Sequence, residues 1–132
     1  MREAVVRHIL DSFGVAPEYL WERSDSAALR HHADKKWFGI LMRVPRSKLG
    51  LNGEEIIDVL NVKCSPILIG SMTDGRGILP GYHMNKAHWI SILLDGSVPM
   101  EKIIFLLDAS YDMTLKRVKK KKAPLSGSDA KA

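Results

Sequence analysis

The sequence predicts an α+β domain: a two-layer sandwich of order α-β3-α-β2-α, with three helices packed on one antiparallel five-stranded sheet. Three observations predict it. Apolar stripes of helical period stand near the start and the end of the chain, with one short helix signal between them. Segments of extended-chain alternation fall in a group of three before that middle helix and a pair after it. Grouped strands, as opposed to strict strand–helix alternation, favour an antiparallel sheet.

The elements follow in order. Val6, Ile9, Leu10 and Phe13 recur at helical spacing and form one amphipathic stripe. Gly14 is placed to end that helix, with Pro17 just beyond. Residues 14–26, with Pro17, Ser24, Asp25 and Ser26, read as a connection. Ala28 to His32 is a short strand, and Asp34 and Lys35 suggest a turn. Residues 36–44 then put Phe38, Ile40, Met42 and Val44 on one side, with Trp37, Gly39, Leu41 and Arg43 on the other. Pro45 has no N–H to give a ladder and marks its end.

A polar turn around Asn52 and Gly53 leads to a strand from Ile56 to Cys64. There Leu60, Val62 and Cys64 share one side, while Val59, Asn61 and Lys63 share the other. Ser65-Pro66 reads as a helix start, because a serine oxygen can accept from a first-turn amide and proline is pre-set for that position. Asp74, Gly75 and Gly77 keep this helix short. Two further strands lie near Ile78 to His83 and His88 to Leu94, the last ended by Asp95-Gly96. Pro99 opens the final helix, which carries Ile103, Leu107 and Tyr111, flanked by Ile104, Leu106 and Ser110. Such a sandwich covers one sheet face and leaves the other available.

A chain of 132 residues with 45% hydrophobic and 27% charged residues can bury a core without staples. Cys64 is the single cysteine, so no intrachain disulfide forms. The N-terminal MREAVVRHILDSF carries charges where a signal peptide needs an apolar core. Nor does any apolar run approach the ~20 residues that span a bilayer. The expectation is a cytoplasmic protein with no membrane partner.

The net charge of +5 is unevenly placed. Residues 1–114 hold 13 Lys+Arg against 14 Asp+Glu, a net −1, whereas residues 115–132 hold 7 against 1, a net +6. The chain therefore divides into a nearly neutral folded domain, 1–114, and a basic, flexible C-terminal tail, 115–132. Charge alone gives the folded part no domain-wide grip on nucleic acid.

No complete catalytic set is legible. His83 and His88, and His31 and His32 elsewhere, lack the converging spacing of a metal site. Cys64 sits on the apolar side of its strand, as a small buried hydrophobe would. The glycines match no phosphate-binding loop. The expectation is a non-enzymatic protein with no metal and no cofactor. The set with most binding chemistry is Asn61, Lys63, Asn85, Lys86, His88 and Trp89, which combines phosphate donors, amides able to read a base edge and an aromatic platform. A core role for Trp89 and a turn-capping role for Asn85 weigh equally. Lys119, Lys120, Lys121 and Lys122 would serve as a phosphate-binding arm, or as a solvated charge cluster.

PGYHMNKAHWISILLDGSVP, Pro80 to Pro99, resembles the signature of the MmcQ/YjbR family. LNVKCSP, Leu60 to Pro66, is similar to that family's segment ahead of a helix, and LLDASYDM, Leu106 to Met113, to its C-terminal helix. The resemblance runs from the first helix to about Thr114. It implies the CyaY-like sandwich already read from the element order, and a "double wing" DNA-binding role. The segment Thr73 to Ile78 and the lysine-rich tail depart from the pattern. DNA is thus the partner expected first. A protein or peptide partner, or a second copy, bound on the open sheet face is the alternative.

Overall fold

A computed structural model describes residues 1–22 and 24–115. Helix α1 is Arg2–Phe13; strands β1 (Ala27–Arg30), β2 (Trp37–Pro45) and β3 (Ile56–Lys63) follow, with a 3-10 turn at Arg46–Leu49 between the last two. Helix α2 is Pro66–Met72, strands β4 and β5 are Ile78–Pro80 and Trp89–Leu93, and helix α3 is Met100–Thr114. The five strands form one sheet in the order β1-β2-β3-β5-β4, and every neighbouring pair is antiparallel. The fold class and element order agree with the sequence.

The main core lies between helices and sheet. Val5 and Ile9 of α1 and Ile103 and Leu107 of α3 meet Leu29, Leu41, Leu60, Val62, Ile90 and Ile92. Each such side chain contributes about 1.5–3 kcal/mol on burial. Gly14 ends α1 in the left-handed region at φ 66 and donates its N–H to the Leu10 carbonyl. The α1 stripe is rotated from the expected one: Val5 is buried and Leu10 is half exposed. Ser65 precedes α2 without a side-chain cap bond, so Pro66 carries the start signal there.

Strand β2 departs from plain alternation. Leu29 pairs with Gly39 and Arg30 with Trp37, which leaves Phe38 as an extra residue in a bulge. The bulge turns Phe38 into the helix-side core beside Leu41, away from Ile40, Met42 and Val44 with which alternation grouped it. A buried serine from α3 repairs the ladder. The Ser110 hydroxyl donates to the Phe38 carbonyl (2.6 Å) and accepts from the Lys63 N–H (2.9 Å).

The second sheet face was expected to stand open, and much of it is covered. Val44, Ile57, Val59, Leu79 and Leu93 form a smaller core there, closed by Met42, Leu49, Leu51 and Tyr82. Leu49 and Leu51 come from the segment around the 3-10 turn, and Tyr82 from the β4–β5 connection. Both strands of that last hairpin are shorter than the sequence suggests, because residues 81–88 fold back as turns.

Candidate functional site: an aromatic groove on the second sheet face

The β4–β5 connection is fastened to the sheet by a polar cluster. The Asn61 side chain on β3 is fully buried, and its amide N–H donates to the Tyr82 carbonyl at 2.9 Å. Its oxygen accepts from the Ser91 hydroxyl at 2.5 Å, and the Ser91 oxygen accepts in turn from the Tyr82 N–H at 2.8 Å. A third contact runs from the Asn61 amide to the Met42 sulfur at 3.4 Å. Every polar group of the cluster has a partner, and a satisfied buried network of this kind fixes one conformation. Gly81 belongs to the same arrangement: a Cβ there would lie 2.8 Å from the Trp89 Cβ and 2.9 Å from its carbonyl oxygen. His83, just beyond, is held at φ 60, an uncommon conformation for a residue with a side chain.

Once fastened, this connection forms one wall of a groove of about 340 Å³. Tyr82, His83 and Met84 line that wall, Ile40, Met42 and Trp37 of β2 supply the floor, and Trp21, Ser24 and Ser26 close the other side. Trp21 and Trp37 meet edge to face, with centroids 5.6 Å apart and planes at 88°. Trp21 is 40% exposed although it carries a large apolar ring. A mostly apolar concavity of this size with a few hydroxyl and imidazole groups at its rim is the usual form of a ligand site.

Of the residues singled out in the sequence, the fold brings Lys63 beside Trp89 and sets Asn85, Lys86 and His88 in the adjoining turn, while Asn61 is set apart by burial. Asn61 requires a correction: buried and with its amide engaged, it has no surface from which to read a base. Lys63 and Trp89 are paired neighbours on β3 and β5, both half-buried. The Lys86 ammonium donates to the Gly81 carbonyl at 3.1 Å. Asn85 is exposed and shapes the turn, its side-chain oxygen accepting from the Ala87 N–H and its carbonyl from the amides of His88 and Trp89. The His88 side chain is exposed, while its carbonyl accepts from the Cys64 N–H. Lys119 to Lys122 lie outside the described residues. Four of the arginines among the described residues are engaged: Arg2 and Arg43 with Asp58, Arg30 with Glu18, and Arg46 with Asp95.

Sequence reasoning missed Trp21, Trp37 and Met84. The run Tyr19-Leu20-Trp21 was the available signal, since three large apolar residues in a connection have no core to enter. All three are exposed at 40% or more.

Three other arrangements fall short of a functional site. Ser12, His8 and Asp108 are linked in sequence, with Ser12 Oγ 3.3 Å from His8 Nδ1 and His8 Nε2 2.8 Å from Asp108. That connectivity resembles a nucleophile, a base and its orienter, but Ser12 stands exposed on a helix and does not line the groove. Cys64 is buried, and burial pushes its thiol pKa up, away from reactivity. Among the described residues no three His, Cys, Asp or Glu side chains converge as metal ligands, and no helix is long and apolar enough to cross a membrane.

A family model described as YjbR matches residues 10–113. An uncharacterized Bacillus subtilis protein, YyaQ, is 44% identical over 114 residues, which is 86% of this chain and 97% of the relative. The uncharacterized Escherichia coli K12 protein YjbR is 36% identical over 67 residues, 50% of this chain and 57% of its own length. Among solved structures, a crystal structure of a Pseudomonas syringae protein superposes with a TM-score of 0.84 at 36% identity, covering 87% of this chain and 99% of that one. A Deinococcus radiodurans protein shares the fold at a TM-score of 0.67 and 20% identity, over 90% of this chain and 85% of that one.

Proposed function

The chain belongs to the YjbR family, and from that premise we propose a non-catalytic binding protein that captures a peptide segment by one aromatic side chain. The groove over Ile40 and Met42 is the observation that carries this reading. An aromatic side chain buries about 150–250 Å². At roughly 25 cal/mol per Å² that is a gross gain near 4–6 kcal/mol, from which the cost of association is subtracted. One anchor therefore gives weak, reversible binding, and backbone contacts to Ser24, Ser26 and His83 at the rim add to it. Both sheet edges are poorly suited to accept an added strand. Glu18 bridges to Ala28 on β1, and the Ile78 carbonyl of β4 already accepts from Asp74 and Gly75. This leaves the groove as the better docking place. The protein is taken to be cytoplasmic, where a free buried Cys64 persists as a thiol.

DNA binding is the second reading. It is favoured by Lys63 beside Trp89, with Lys86 nearby in the turn, and by the lysine run at 119–122. Against it stand the near-neutral body and the engaged arginines.

The test is a tryptophan-fluorescence titration with two probes, a phage-selected pool of aromatic-containing peptides and a duplex DNA, each at several salt concentrations. Peptide binding that is insensitive to salt and lost in Trp37→Ala and Met84→Glu supports the proposal. Duplex binding that weakens by about 0.9 in log–log slope per phosphate, is reduced by Lys63→Ala and is unaffected by Met84→Glu would replace it with the second reading.

A further inference from the structure

One buried titratable group lies apart from the groove and is only half satisfied. His31, the residue that follows β1, is 2% exposed. Its Nε2 lies 2.8 Å from the Thr114 hydroxyl at the last turn of α3. That hydroxyl spends its single hydrogen on the Ser110 carbonyl at 2.8 Å, so it accepts from His31. Nε2 therefore carries the ring proton, and Nδ1 keeps a lone pair. Nδ1 is buried and has no hydrogen-bond partner among the described residues. The ring packs 4.4 Å from Tyr111 of α3 and 5.1 Å from Phe38 of β2, and Phe13 of α1 stacks on Tyr111 at 3.8 Å. The turn that follows is closed by the His31 N–H to the Lys36 carbonyl and the Lys35 N–H to the His31 carbonyl, with Lys35 at φ 64.

We propose that neutral His31 is a latch holding the C-terminal turn of α3 to the β1–β2 turn, and that protonation at Nδ1 releases that helix end. The chain continues from this point into its lysine-rich segment. The step is a proton transfer from solvent to Nδ1, which places a charged ring among aromatic carbons. Burial is the largest influence and lowers the imidazole pKa from its ordinary value. Asp34 on the adjoining turn opposes it, Lys36 on the same turn reinforces it, and the Tyr111 carbonyl of α3 gives the smallest favourable contribution to the charged form. The Tyr111 phenol is the titratable group presented by α3, Phe38 of β2 presents none, and His8 of α1 lies beyond Phe13, 5.8 Å from that ring. A group held below its unfolded value, near 6.5, binds its proton more readily in the opened form. The latch is therefore fully closed above that value. Opening grows as pH falls, by up to about tenfold per pH unit, until the folded pKa is reached.

The experiment is native-state amide exchange on the full chain from pH 7.5 to 4.5, corrected for intrinsic rates, beside an NMR titration of the His31 ring. The expected result is a selective loss of protection at Thr114 and Leu115, up to about tenfold per pH unit below 6.5, coincident with ring protonation. His31→Phe keeps the aromatic packing without a titratable nitrogen, and should abolish that pH dependence while sheet amides stay protected. Should His31→Phe fail to fold, the ring titration of the parent still decides. A ring that titrates at the ordinary value while the Thr114 and Leu115 amides remain protected would overturn the latch, as would pH-dependent protection persisting in His31→Phe.

Discussion

Asn61→Ala separates a buried structural role from a contact role. The substitution strips the Ser91 hydroxyl of its acceptor and the Tyr82 carbonyl of its donor, both beneath the β4–β5 connection. Each uncompensated buried polar group costs about 1–3 kcal/mol, and a small cavity adds to that. A loss of about 3 kcal/mol is expected, equivalent to a melting-temperature fall of roughly 12 °C in a domain of this size. Urea denaturation measures it directly: the midpoint should fall while the slope is unchanged. Ser91→Ala breaks the same cluster, so the double variant should lose less than the sum of the two single ones. A destabilisation under about 1 kcal/mol, or additive behaviour in the cycle, would refute the claim that these groups act as one buried unit.

Ser110→Ala should cost about 2–4 kcal/mol, since it leaves the Lys63 N–H and the Phe38 carbonyl unpaired; a change near zero on urea denaturation would mean the bulge closes without the serine. Gly81→Ala should destabilise by more than an exposed glycine substitution does, because its Cβ would meet Trp89 backbone at 2.9 and 3.0 Å; a neutral thermal melt would contradict this. Asp74 accepts from the amides of Ile78, Arg76 and Gly77, which lower its carboxyl pKa to about 2. Its stabilisation is complete above the unfolded value of 3.8 and is lost as pH falls toward about 2. For so exposed a group this amounts to roughly 1–2 kcal/mol after solvent screening. Asp74→Ala should therefore lower stability at pH 7 and flatten the acid limb of the stability curve. Cys64 should resist thiol labelling of the folded protein at neutral pH; rapid modification would show that the β3–α2 junction opens.

The fold was legible because the long elements carry one strong period each. In β3 and α3 the buried faces fall where alternation and helical spacing put them: Leu60 and Val62 on one side, Ile103 and Leu107 on the other layer. Phe38 was misassigned because a bulge adds one residue, and alternation has no means of showing it. The covering of the second face was equally invisible. It depends on Leu49, Leu51 and Tyr82, which arrive from connections, and connections carry no period. The site was less legible than the fold for the same reason. Asn61 reads in a sequence as an available amide, yet tertiary contact from Tyr82 and Ser91 consumes it. Trp21 and Trp37 are separated by 16 positions and meet only after the chain turns around the sheet edge.

The most direct test of the binding account is NMR mapping of the probe. Methyl signals of Ile40, Met42 and Met84 and the indole N–H signals of all three tryptophans would be followed during titration with an aromatic-containing peptide, and separately with duplex DNA. Peptide should shift the methyl signals of all three residues together with Trp21 and Trp37, leave Trp89 little changed, and lose these effects in Met84→Glu. Shifts centred on Trp89 and the Lys63 and Lys86 amides with DNA, and none at the groove with peptide, would contradict the peptide-binding reading.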